Sequence, residues 1–275
     1  MNLSSTRFAH WAALTAGMAA VATTASAQTG LISTNGVVVA HSGDAVPDTT
    51  GTPIPGRNFT NGGLGNACAV DESGNVLFHG QFTPTIAGDA SDDRAYFYGS
   101  NRANLKMVIR GADQAPGMAP GILLRNTTVS TGGLQTAVRL TPNGRAHFAS
   151  GLYDGGVLIT GGVNNDALFG GAPGSLGFVA QKQDQAPGCP VGCLLNQAFG
   201  GINQLGQGAN NSGRIYIVSA LTGTGVTTTP INNQSCVLTG TAGALELAAR
   251  RGDPLAGIPG AVASIISCVR RTSSS

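Results

Sequence analysis

The chain has 275 residues, and its 15 Lys or Arg and 13 Asp or Glu leave a net charge of +2. So even a balance, with no basic tract and no basic stripe interleaved with aromatics, argues against a nucleic-acid partner. Gly fills 42 positions without a Gly-X-Y period, which excludes a collagen-like chain and points to many tight turns.

Residues 1–27 read as a signal peptide. Arg7 precedes the small, apolar run WAALTAGMAAVATTA, and Ala25-Ser26-Ala27 gives a small-x-small cleavage pattern before Gln28. The expectation is export, with cleavage after Ala27 and a secreted or cell-surface address. No later run of about 18 apolar residues predicts a transmembrane helix in the mature chain.

The rest, 28–275, reads as one β-repeat domain. Four segments look alike: VVVAHSGDAVPD, KMVIRGADQAPG, GFVAQKQDQAPG and LAARRGDPLAG, each an apolar run followed by Asp and then Pro or Gly. Their aspartates, Asp44, Asp113, Asp184 and Asp253, are 69, 71 and 69 residues apart. Self-similarity at a fixed period marks a repeat architecture. The units predicted are about 45–113, 114–184 and 185–253, with a truncated fourth at 254–275. In each segment a strand runs into a turn, where the Asp carboxylate is expected to cap an N–H two residues on. A second block, DESGNVLFHGQF, TPNGRAHFASGL and NNSGRIYIVSAL, repeats in step around Gly74, Gly144 and Gly213, and a third reads RAYFYG, DALFGG and SCVLTG. The diglycines Gly62-Gly63, Gly132-Gly133 and Gly200-Gly201 keep the same step.

Each unit therefore reads as four short strands joined by tight turns. In the second strand Val76 and Phe78, Ala146 and Phe148, and Ile215 and Ile217 alternate along the chain, the period of a half-buried strand. Ala242 to Arg251, the nearest thing to a helical stretch, aligns with strands in the other copies. The fold expected is all-β, made of tandem four-stranded antiparallel sheets of about 70 residues, propeller-like, with a three-fold β-prism or trefoil as the alternative.

These residues resemble a family of secreted bacterial proteins with a tandem NxxGxxAF repeat and varied C-terminal anchors. The resemblance rests on DESGNVLF, TPNGRAHF and NNSGRIYI, and on RGADQAPG, QKQDQAPG and RRGDPLAG. It covers most of residues 37–267. The leading Asn is kept only as Asn210, and the Ala before Phe is replaced by Leu77, His147 or Tyr216. The resemblance implies four-stranded blades and an extracellular address, and no particular activity.

Chemistry-bearing residues are few. GxSxG, HExxH and GxxxxGK[ST] are all absent. The four repeated aspartates could ring a cation, yet a residue present in every copy suits a turn cap better, and neither a metal nor a cofactor is expected. His79 and His147 lie on the second strands of neighbouring copies at the same parity, so they are candidates to meet as an acid–base pair. Asp92-Asp93 and Asp71-Glu72 are unrepeated acidic pairs in loops, where a glycosidase would need two carboxyls about 5–10 Å apart. Solvated turn residues are the plainer reading. The loops Thr83 to Asp93, Tyr153 to Asn165 and Thr222 to Asn233 differ between copies and are the better places for binding.

Cys189 and Cys193 replace Met118 and Ile122 of the preceding unit. Two cysteines four apart in a Pro/Gly loop of an exported protein predict a local disulfide, leaving Cys68, Cys236 and Cys268. The function expected is a non-catalytic binding or structural module, with an extracellular glycan or a surface protein as partner. The alternative is a secreted hydrolase or lyase acting on a polysaccharide or polyester, with His79, His147, Asp92 or Asp93 as acid and base.

Overall fold

The computed structural model describes residues 31–34, 36–64, 69–84, 92–125, 139–154, 157–158, 166–196, 207–210, 212–229 and 232–264. The leader, Cys68, Cys268, two of the three diglycines and most of the loop Tyr153 to Asn165 lie outside these residues. Among those described, every element is a strand and every pairing is antiparallel.

A hairpin of β1 (Leu31–Thr34) and β2 (Val37–His41) comes first. The first large sheet holds β3 (Ala45–Pro47), β4 (Pro53–Leu64), β5 (Ala69–Val70), β6 (Val76–Phe82), β7 (Arg94–Gly99) and β8 (Lys106–Arg110). The second holds β9 (Ile122–Leu124), β10 (Arg139–Leu140), β11 (Ala146–Asp154), β12 (Val157–Leu158), β13 (Asp166–Ala172) and β14 (Ser175–Gln181). The third holds β15 (Cys193–Leu195), β16 (Gln207–Ala209), β17 (Ile215–Gly223), β18 (Ser235–Thr241) and β19 (Ala244–Arg250). The four-stranded unit is present in each as β5-β6-β7-β8, β10-β11-β13-β14 and β16-β17-β18-β19. The Ala242 to Arg251 stretch forms β19, a strand.

One feature of the sheets is additional to the four strands. The second strand outruns its first neighbour and takes another partner further along. In the second sheet β10 pairs with Ala146 and His147 of β11, while β9 pairs with Leu152 to Asp154 of the same strand. β16 and β15 divide β17 in the same way. Between third and fourth strands the register slips at Tyr96/Phe97, Leu168/Phe169 and Val237/Leu238, the same place in each copy. A bulge at a fixed position adds twist to every sheet alike.

The glycine turn explains the N-x-x-G pattern. Asp71, Thr141 and Asn210 each close a hairpin loop through a main-chain bond from the glycine three residues on (Gly74, Gly144 and Gly213), at 3.1, 2.9 and 2.9 Å. The side-chain oxygen of each also accepts the N–H four residues on: Asn75, Arg145 and Arg214, all at 2.9 Å. Asp, Thr and Asn are interchangeable there because each supplies one acceptor. The glycines have φ of 78°, 80° and 77°, the left-handed conformation that residues with a Cβ resist.

Sheets stack face to face through three apolar layers. Val39 of the β1–β2 hairpin joins Val46 and Phe59, from the curled β3 and β4 end of the first sheet, over Phe78, Phe82 and Phe97 of its central strands. Leu77 and Tyr96 of that sheet meet Ala146, Phe148 and Phe169 of the second, with the Tyr96 and Phe148 rings 5.4 Å apart. Ala149, Leu168 and Val179 of the second meet Ile215, Ile217 and Leu238 of the third. Each buried Phe or Leu is worth about 1.5–3 kcal/mol, so these layers carry the stack. The architecture is all-β and propeller-like.

Candidate functional site

The strand-end aspartates belong to the turns. Asp44, Asp113 and Asp184 accept the N–H of His41, Arg110 and Gln181 at 2.8, 2.9 and 2.7 Å. The capped N–H thus lies three residues before the Asp, rather than the two residues after it that the sequence suggested. In all four copies the Asp N–H also donates to the carbonyl three residues back, at 3.1–3.2 Å, Asp253 to Arg250 included. Burial raises the Asp184 carboxyl above the usual range, opposed by its bond from Gln181.

Asp92 and Asp93 are not solvated loop residues. Both Asp92 oxygens take Arg57 Nη2, at 3.1 and 3.0 Å, and Arg110 Nη1 reaches Oδ2 at 3.2 Å. Arg110 in turn holds Asp113 at 3.1 Å. Asp93 is 1% exposed and accepts Gln81 Nε2 at 2.9 Å. Asp71 is likewise committed. Burial works to raise its carboxyl, but bonds from Tyr98 and Asn75 hold it below the usual range.

His79 and His147 do not meet. Strand alternation puts His79 on the face of β6 that carries Leu77, between the first and second sheets. The same rule puts His147 on the face of β11 that carries Ala149, between the second and third. Equal parity on successive sheets therefore separates the two rings by a whole sheet. Both are buried, and neither ring nitrogen of either has a hydrogen-bond partner. Burial pushes His79 down to about 4, aided by Arg94 and opposed by Asp93. Burial and Arg145 push His147 down to about 4. Both rings are neutral at ordinary pH.

Cys189 and Cys193 are both thiols in this structure, so the predicted bridge is not formed. The two lie close enough for a thiol–thiol hydrogen bond, and Cys236 packs in the same core layer. Burial, then the neighbouring cysteines, push Cys189 up to about 11 and Cys236 up to about 12, which keeps both protonated and slow to react. No three His, Cys, Asp or Glu among the described residues converge in a way that would hold a metal ion.

Among the described residues a small pocket of about 230 Å³ lies at the end of the first sheet. Val39, Phe59 and Leu105 give it an apolar floor, and Gly51 and Pro53 form one wall. Arg102 and Asp44 stand at the rim with Nε and Oδ2 2.9 Å apart; the Arg102 side chain is 55% exposed. The pocket offers a half-exposed cation paired to Asp44 and an apolar surface, a means of binding. It brings together no nucleophile with a base. The sequence reading passed over it because Arg102 lies far along the chain from Asp44 and in no repeated block.

Sequence reading also passed over Gln114 and Gln185, although both sit in the quoted DQAPG segments. Each side chain spans its loop: Gln114 Nε2 donates to Ala119 O at 2.9 Å, and Oε1 accepts Gly121 N at 2.9 Å. Gln185 does the same with Pro190 O at 3.1 Å and Gly192 N at 2.8 Å. Their recurrence at the same offset from the Asp was the available signal.

Residues 6–274 match a family of unknown function, DUF7453, and the chain belongs to that family. No curated protein matches it. Among solved structures it is similar to a GH43 β-1,3-galactosidase with galactodeoxynojirimycin, at 11% identity and a TM-score of 0.29, over 75% of this chain and 79% of that one. A likeness so distant says nothing of this chain's activity.

Proposed function

We propose that this member of DUF7453 is an exported, non-catalytic β-repeat module that binds an extracellular glycan or a surface protein. One observation carries the reading: Asp44, Asp113 and Asp184 are engaged in turn caps, Asp92 in arginine pairs, and Asp71 and Asp93 in hydrogen bonds from Asn75 and Gln81. His79 and His147, the other acid–base candidates, are neutral and lie in separate layers. That leaves the segments that differ between copies, and the pocket at Arg102, to supply specificity. Loops on a rigid β-scaffold are where binding commonly sits. Export rests on the leader at 1–27, and sequencing the N-terminus of the exported protein should begin at Gln28.

The test is to apply the purified protein to arrays of glycans and matrix proteins, and in parallel to a panel of polysaccharide and polyester substrates. Retention on one class, weakened by Arg102→Ala with the fold intact, is the expected result. Product release that disappears in Asp92→Asn or His79→Leu would overturn the reading, as would failure to retain any probe.

A further inference from the structure

Three cysteines, two from one loop and one from β18, meet in the layer between the second and third sheets. Cys193 and Cys236 belong to its buried core, and Cys189 packs against it. The same offsets in the preceding copy give Met118, Ile122 and Ala167, which meet in the layer between the first and second sheets. One layer is thus apolar where the next carries three thiols. The Cys189 and Cys193 thiols are hydrogen-bonded to each other, and the Cys236 thiol lies near both. Main-chain bonds draw the pair together: Ala186 N donates to Cys193 O at 2.8 Å, and Cys189 N to Ala186 O at 3.2 Å.

The loop that carries the pair also holds the base of the variable loop Thr222 to Asn233. Cys193 pairs with Gly223 in the β15–β17 ladder, and Thr224 N donates to Gly192 O at 2.9 Å. Pro190 lies against Gly225, where an added Cβ would be 3.5 Å from its Cγ. Val226 packs on the same apolar layer as Cys189. From the other side Arg250 fastens the base, with Nη2 on Gly225 O at 2.9 Å.

We infer that Cys189 and Cys193 are a site of reversible oxidation that sets how tightly the base of this loop is held. The oxidant is a small-molecule disulfide. The partly exposed Cys189 Sγ attacks it, forms a mixed disulfide and releases one thiol. Cys193 Sγ then attacks Cys189 Sγ, closes the Cys189–Cys193 bond and releases the second thiol. The two cysteines lose two electrons and two protons, which leave on the two released thiols. Cys236, whose sulfur takes the Ser219 N–H, stays a thiol. A covalent ring through residues 189 to 193 fixes Pro190 and Gly192 against the base. Its bearing on ligands rests on the reading of the variable loops as places of specificity.

The experiment treats the purified protein overnight with oxidised glutathione or with dithiothreitol, since burial keeps the thiols protonated and the exchange slow. Peptide mapping locates the bonds, and hydrogen exchange reads the Thr224 amide. Expected are a Cys189–Cys193 bond that dithiothreitol reopens, and exchange at Thr224 slowed about 10-fold in the oxidised form. Cys236→Ala should keep both results, and Cys189→Met should lose both. Each variant takes the residue of the preceding copy, and Cys193→Ile replaces Cys189→Met if that one unfolds. A bond from Cys193 to Cys236, thiols left unpaired, or a bond without change at Thr224 overturns the inference. Both states are also applied to the arrays. A bond that forms and slows exchange, with no probe retained in either state, sinks the binding reading and leaves the thiol site standing. A probe retained by a protein whose thiols never pair does the reverse.

Discussion

Turn residues at the strand ends show what the repeat asks of single positions. The third residue of that turn is Gly43, Ala112, Gln183 and Gly252 in the four copies, with φ of 89°, 62°, 72° and 86°. A side chain there is strained by about 1 kcal/mol. Ala112→Gly and Gln183→Gly should therefore each stabilise the protein by about 0.5–1 kcal/mol, less what the looser unfolded chain takes back, read as a rise in the urea midpoint. The buried histidines make a second prediction. Each binds its proton more weakly folded, at about 4, than at the ordinary value of 6.5. Their contribution is thus complete above pH 6.5, falls as pH drops toward 4, and is gone below it. The loss is on the order of 3 kcal/mol for each ring. Urea midpoints measured between pH 7 and 4 should fall in the wild type and fall less in His79→Leu and His147→Leu.

At the scale of elements, the DQAPG loop is held by one side chain. Gln114 and Gln185 satisfy main-chain groups on both sides of their loops, so Gln114→Ala or Gln185→Ala leaves several of them to water. Each substitution should cost about 1–2 kcal/mol and speed hydrogen exchange at Gly121 or Gly192, with the other loop unchanged. Much of the element order was legible in the sequence. Alternation in VLFHGQF and its counterparts, and glycine at a constant step, identified the second strands and their hairpins. The short strands β9 and β15 were not legible. Three residues such as Ile122–Leu124 carry no periodicity, and they become strands because the long second strand offers an edge. The candidate site was less legible still. Parity placed His79 and His147 on like faces, but only the stacking direction of the sheets decides whether like faces meet or are kept apart. Asp92 looked like a loop carboxylate because Arg57 and Arg110, its partners, are distant in sequence.

At the scale of the molecule, the three large sheets among the described residues form a stack in which each repeats the last. Main-chain contact passes between units where Glu72 N donates to Pro142 O at 3.0 Å. The Tyr98 hydroxyl also packs there against Gly144, where an added Cβ would lie 2.5 Å from it. Identity of position across copies thus reflects a shared mechanical job, capping the turn that ends each sheet. The measurement that tests this most directly is urea unfolding of Asp44→Ala, Asp113→Ala and Asp184→Ala, singly and combined. Loss of each cap should cost about 1 kcal/mol, and the three, set in different turns, should add to about 3 kcal/mol. Unchanged stability in the triple variant would contradict the assignment of these aspartates to the scaffold.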